Sequence, residues 1–168
     1  MSILIDTETL NTGSLLKNSF GEEYFYSVNH SAFEQSPSSV LYQQLFQEQL
    51  EAEDTLYLFV GSDSGLLIKY LLKHPPQKGS RFLIIDFPQI IENLPQPFKG
   101  DEKQRIYLYS TDEWQEKADK YELENYLFIN KVKIIQSYAV IDNHIKQYKQ
   151  LWKKTEEEIN DSRWQVRG

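Results

Sequence analysis

The chemistry this chain could do concentrates in one turn and one distant carboxylate. In "YLFVGSDSGLLIKYLL", residues 57–72, an apolar strand runs into Gly61, Ser62, Asp63 and Gly65 and then into an amphipathic helix. The two glycines let the chain bend sharply and the helix pack close on a sheet, with Ser62, Asp63 or Ser64 available to cap it. About twenty residues on, "RFLIID" ends in Asp86, where an acidic side chain can accept hydrogen bonds from ribose hydroxyls. A dinucleotide site wants glycine at the middle of the turn so that backbone can approach a pyrophosphate, but Asp63 stands there and repels phosphate. The P-loop lysine is also missing. What these residues can hold is a nucleoside without phosphate groups, its ribose hydroxyls on Asp86. The competing reading makes Asp63 a helix cap and Asp86 the start of a loop before Pro88.

Other chemical signals are sparse. His30, His74 and His144 are far apart in sequence and none has a second ligand at helical spacing, so no metal site is expected. No G-x-S-x-G elbow occurs. The absence of cysteine removes disulfides, thiolate metal sites and a cysteine nucleophile together. No catalytic residue can be assigned. Glu156, Glu157 and Glu158 beside Lys153 and Lys154 read as a solvated helix face with i,i+4 pairs.

The elements that must position the turn come from one domain's worth of chain. With 168 residues, 40% of them apolar, a sizeable core is within reach but a second full domain is not. A net charge of −7 with scattered lysines and arginines lacks the basic stripe a phosphate backbone needs, which excludes nucleic acid as a partner. Neither a signal peptide nor a membrane span is legible, so a soluble, cytoplasmic protein is expected.

Along the chain, "GSLLKNSFG" suggests one or two helical turns, and "EEYFYSVNHS" alternates as a short strand through Tyr24, Tyr26 and Val28. Ser36 and Pro37 then start a helix that runs to about Ala52. From Thr55 the pattern is strand, helix, strand, helix, strand: "TLYLFV", "SGLLIKYLLKH", "RFLIID", "PQIIENL" and "RIYLYS". Runs apolar on both faces belong to buried parallel strands. The expected architecture is α/β, a doubly wound, mostly parallel Rossmann-like sheet with the first of these strands between the other two. Residues 1–53 form an N-terminal strand-helix segment packed on it, and 54–168 the Rossmann-like domain proper, together one structural unit. Ser110 and Glu113 form a capping box for a further helix. "NYLFINKVKIIQS" supplies one or two more strands. From about Tyr138 one long helix follows, with Ile141, Ile145, Tyr148, Trp152 and Ile159 on its apolar face.

Two resemblances attach to these residues. Gly61, Asp63 and Gly65 with Asp86 resemble the nucleoside end of the S-adenosylmethionine-dependent methyltransferase fold. "LYLFVGSDSGLLIKYLL" with "FLIIDFPQIIENL", preceded by "YSVNHSAFEQSPSSVLYQQL", is similar to the N-terminal domain of the motility accessory factor family, bacterial proteins associated with flagellin glycosylation. That likeness spans roughly residues 20 to 165 and carries over no transferase residue. It implies an accessory, non-catalytic domain beside a glycosyltransferase-like domain that uses nucleotide-activated sugars. The alternative is a small methyltransferase-like enzyme or nucleoside-binding protein using Gly61, Asp63 and Asp86. The implied partners are a following glycosyltransferase-like domain or a second copy through the C-terminal helix, with Trp152 and Trp164 near the contact.

Overall fold

A computed structural model describes residues 3–114, 116–117 and 122–167, the last three without their side chains. The chain opens with a hairpin, β1 (Leu15–Lys17) paired antiparallel with β2 (Glu23–Phe25), followed by one helical turn, α1 (Tyr26–Asn29), and by α2 (Ser38–Phe46). Then come β3 (Leu56–Val60), a 3-10 turn at Asp63–Gly65, α3 (Leu66–Lys73), β4 (Arg81–Asp86), α4 (Pro88–Glu92), β5 (Gly100–Asp101) and β6 (Ile106–Ser110). The chain finishes with α5 (Leu123–Phe128), β7 (Val132–Gln136), α6 (Tyr138–Asp142) and α7 (Lys146–Arg167).

The second sheet has the order β5-β6-β4-β3-β7, parallel except for β5. It is a mixed α/β fold with a mostly parallel sheet flanked by helices. Every residue of β3 is buried, as strands covered on both faces require. Helix α3 is amphipathic and buries Leu66, Leu67, Ile68 and Leu71. The strand order reverses at β3. Its neighbours are β4 on one side and β7 on the other, so β3 does not lie between β4 and β6 as expected; β4 does.

Several expected elements differ. "GSLLKNSFG" holds strand β1 rather than helical turns, because Leu15 to Lys17 pair with Phe25 to Glu23. Strand β2 stops at Phe25. The Tyr26 N–H bonds to the Ser14 carbonyl, and the chain coils into α1 so that Asn29 reaches the turn after β3. Helix α2 starts at Ser38, with Pro37 rather than Ser36 as N-cap, and ends at Phe46, where Gln47 turns to φ 49°. The expected long terminal helix is two helices, since Asn143 adopts the left-handed conformation that ends α6. "NYLFINKVKIIQS" gives helix α5 and a single strand. The Ser110–Glu113 capping box is present in both directions, while Gln115 and residues 118–121 of the helix expected there lie outside the described residues.

One aromatic cluster ties the N-terminal segment to the sheet. The fully buried Phe33 ring lies 5.9 Å from Tyr24, 6.0 Å from Tyr42 and 5.8 Å from Tyr138. Phe46 in turn meets Phe59 of β3 edge-on at 5.8 Å. Glu22 anchors the hairpin to α2 by accepting from the Ser38 N–H and hydroxyl, with the Lys69 ammonium 3.2 Å away. Burial pushes the Glu22 carboxyl up, but the Ser38 donors, Lys69 and Asn18 together hold it below the usual range. Phe33→Ala is expected to cost about 3–5 kcal/mol. Because the cluster is shared, tryptophan fluorescence and far-ultraviolet dichroism are expected to fall in one coincident denaturant transition. Two separated transitions would show that segment and sheet fold independently.

Candidate functional site

The reversal of strand order at β3 places a crevice at the carboxyl ends of β3 and β7, the place where open α/β sheets bind ligands. The sequence puts its most unusual backbone there. Gly61, Asp63, Ser64 and Gly65 all have positive φ, at 92°, 51°, 59° and 90°. Gly61 is required twice over: its φ suits glycine, and a Cβ would sit 2.4 Å from Ser137 Oγ at the end of β7.

This turn delivers Asp63 into the crevice rather than onto its own helix. The carboxylate is fully buried and each oxygen accepts two hydrogen bonds. Oδ1 takes Asn29 Nδ2 at 2.9 Å and the Ala139 N–H at 2.9 Å, while Oδ2 takes the Tyr42 hydroxyl at 2.7 Å and the Tyr138 N–H at 3.0 Å. Asp63 therefore caps α6, whose own N-cap Ser137 makes no side-chain capping bond, and α3 begins at Gly65 without a side-chain cap. Asn29 is held in turn by the Ser64 hydroxyl at 2.6 Å, which accepts from the Phe25 N–H at 3.0 Å. The N-terminal segment closes over the turn through these bonds.

Asp86 lies across the same crevice and is also fully buried. Its Oδ2 accepts the Ser62 N–H at 2.9 Å and hydroxyl at 2.6 Å, and its Oδ1 accepts the Tyr148 hydroxyl at 2.8 Å and the Phe87 N–H at 2.7 Å. The hydroxyls that a ribose would bring to this carboxylate are here supplied by Ser62 and Tyr148. The structure thus brings Gly61, Ser62, Asp63, Gly65 and Asp86 to one end of the sheet and surrounds both carboxylates with the chain's own donors.

Burial pushes the Asp63 carboxyl up to about 6, against the pull of Tyr42, Ala139, Tyr138 and Asn29. Burial likewise raises Asp86, opposed by Ser62, Tyr148 and Phe87. The tyrosines move up as well: burial and the facing carboxylates hold the Tyr42 and Tyr148 hydroxyls well above 10, in their donating form. A surface cavity of about 190 Å³ adjoins the turn, lined by Gly21, Glu22, Ser64, Gly65 and Lys69 among others. Its lining includes none of Gly61, Ser62, Asp63 or Asp86, and it is smaller than the roughly 300–1,000 Å³ typical of small-molecule sites.

Linear spacing did not reveal Asn29, Tyr42 or Tyr148, because they belong to three helices that meet only in the fold. The same docking joins two histidines that are far apart in sequence. The rings of His30 and His144 stand 4.3 Å apart, with the Tyr26 hydroxyl 2.8 Å from His30 Nε2. Burial raises the nearby Asp142 carboxyl while both imidazoles draw it back. Among the described residues no group of three His, Cys, Asp or Glu side chains is placed to hold a metal ion. No helix among them is long and apolar enough to cross a membrane.

Two outcomes follow from this geometry. Gly61→Ala combines an unfavourable φ with a clash against Ser137 and is expected to lower stability by about 2–4 kcal/mol in chemical denaturation; a loss below about 0.5 kcal/mol would mean that the turn is not held as described. For Asp63, the folded value of about 6 stands above the ordinary 3.8, so the folded chain binds this proton more tightly than the unfolded chain. Its stabilising contribution is fully present below about pH 4 and is lost as pH rises through about 6, a change of about 3 kcal/mol. Denaturant titrations across that window are expected to show stability falling more steeply in the native chain than in Asp63→Asn, where the raised Asp86 still titrates but position 63 cannot ionise. Parallel pH profiles would place the titration elsewhere.

Comparison of the chain with family models, with curated proteins and with solved structures finds no match, which leaves its function to be read from its own residues.

Proposed function

We propose that the chain is a non-catalytic, doubly wound Rossmann-like module with a methyltransferase-like strand arrangement. In this reading it serves as an accessory domain in flagellin glycosylation with nucleotide-activated sugars in the bacterial cytoplasm, as its likeness to the motility accessory factor N-terminal domain implies, and its partner is a glycosyltransferase-like domain. The observation that supports the non-catalytic part is the occupation of the crevice. Asp63 and Asp86 each accept four hydrogen bonds from the chain itself. A nucleoside would have to strip Ser62 and Tyr148 from Asp86, leaving buried donors unpaired at about 1–3 kcal/mol each. Both carboxylates are buried away from water, and the hydroxyls beside them, Ser62 and Tyr148 on Asp86 and Tyr42 on Asp63, are fully buried too.

Calorimetry with S-adenosylmethionine, adenosine and cytidine monophosphate is the direct test, and no saturable heat is expected with any of them. Micromolar binding that Asp86→Ala or Tyr148→Phe abolishes would overturn the non-catalytic reading in favour of a nucleoside-using enzyme. The cellular part is tested by intact mass of flagellin after deletion of the gene. Loss of the glycan mass is expected, and unchanged flagellin would remove the link to glycosylation.

A further inference from the structure

Residues 3–12 precede the first hairpin and hold neither helix nor strand, yet they cross the carboxyl end of the sheet. Thr7 Oγ1 accepts from Gln89 Nε2 of α4 at 2.7 Å, and Thr9 Oγ1 accepts from Gln147 Nε2 of α7 at 2.9 Å. Farther on, the Asn11 and Thr12 carbonyls both accept from the Ser27 hydroxyl of α1 at 2.7 Å. The segment then reaches Gly13, whose φ of 64° suits glycine where the chain turns into β1.

The first two of these bonds span a junction that the crevice uses. Gln89 lies three residues after Asp86, and Gln147 is next to Tyr148. The same two stretches are joined by the Tyr148–Asp86 hydrogen bond and by the Phe87 and Tyr148 rings, 5.1 Å apart. Exposure orders the layers. Glu8 and Thr9 are exposed, Gln147 is 4% exposed, and Tyr148 and Asp86 are fully buried. Residues 7–9 are therefore the outermost layer over this end of the crevice. Asp63 has a different cover, because its donors come from α1, α2 and α6.

The hold on this outer layer is slight. Among the described residues, no backbone-to-backbone hydrogen bond links residues 3–12 to another element; the Leu10 N–H bonds back to the Thr7 carbonyl within the segment. The outward bonds through Gln89, Gln147 and Ser27 are all between neutral groups, which contribute little net stability. Ile3 is the one buried apolar anchor, with Ile5 and Leu10 half-buried and Leu4 exposed. A cavity of about 330 Å³ is walled by Ile3, Ile5 and Thr7 on one side and by Pro88, Gln89 and Thr111 on the other, so the segment bridges the loops after β4 and β6 rather than packing into them. Gln89 commits its amide nitrogen to Thr7 while its buried Oε1 has no partner among the described residues. Segments with few buried contacts and few backbone bonds open at a lower free energy than the core beneath them.

We propose that residues 3–12 are a releasable strap that gates the Asp86–Tyr148 end of the crevice, an inference that rests on the reading of that crevice as filled by the chain itself. Release of the strap uncovers Asp86 while Asp63 stays sealed under the N-terminal helices.

Carboxyl labelling of the full chain with a water-soluble carbodiimide and glycinamide, read position by position by mass spectrometry, tests it. In the native chain the exposed Asp6 is expected to label quickly, with Asp63 and Asp86 both protected. Thr7→Ala with Thr9→Ala removes the two side-chain bonds, and Ile3→Asp removes the apolar anchor. Each variant is expected to label Asp86 at least about tenfold faster than the native chain, with Asp63 still protected. Protection of Asp86 in both variants at the native level would overturn the strap and leave the reading of the crevice standing. Labelling of Asp63 and Asp86 together would show that the segment supports the whole fold instead of gating one end, and would overturn it as well. Rapid labelling of Asp86 in the native chain would contradict the closed crevice itself, and the gate with it.

Discussion

Burying the Asp63 carboxylate fixes the relation of three parts of the chain that are distant in sequence. A carboxylate removed from water must find donors for its lone pairs or give up its charge. Asp63 finds one in α1, one in α2 and two at the start of α6, and burial still raises it to about 6. The N-terminal segment is therefore part of the fold's polar interior as well as its apolar one. If Asn29 or Tyr42 moved away, a buried acceptor would be exposed to nothing. That penalty, rather than any single hydrogen bond, holds the hairpin, α1 and α2 over the end of the sheet.

A second carboxylate repeats the arrangement from the other side of the crevice. Asp86 binds the turn after β3 through Ser62 and the terminal helix through Tyr148, so β3, β4 and α7 are pinned at one point. In an open α/β sheet this space is where a ligand supplies the missing polar groups. Here the protein supplies them itself, with two tyrosine hydroxyls kept in their donating form by the same burial that raises the acids. The positive φ values at Asp63 and Ser64 belong to this solution. They carry backbone strain so that the Asp63 carboxylate points across to α6 rather than back to α3.

Periodicity read from the sequence identified what packing alone decides. The buried runs 56–60, 81–86 and 106–110 are parallel strands, and the 66–73 pattern is an amphipathic helix, because apolar runs of those lengths have few other uses. It failed where a polar partner or a local turn decides. Leu15 to Lys17 carry no strand alternation and become a strand only by pairing with β2. Tyr26 to Asn29 have strand propensity but coil because Asn29 must reach Asp63. Asp142-Asn143 did hold a readable signal, since asparagine tolerates the left-handed conformation that breaks the terminal helix there. The turn residues Gly61, Ser62, Asp63, Gly65 and Asp86 were legible as a group that converges. That their partners would be Asn29, Tyr42, Tyr138 and Tyr148 was not, because nothing in spacing reports a contact between elements as far apart in sequence as α1 and α6.

The terminal helix is tied to this arrangement by one face alone. Its inner face is committed, with Tyr148 on Asp86, and Leu151 and Ile159 in the core. Arg163 reaches the Val132 carbonyl at 2.9 Å and so covers part of the free edge of β7 against strand addition. Its outer face was under no such constraint and could have carried acids first and bases last, the order that favours a lone helix in both dipole and neighbour terms. It carries the reverse. The helix is therefore held in place by the contacts of its buried face and not by the charge order of its outer one.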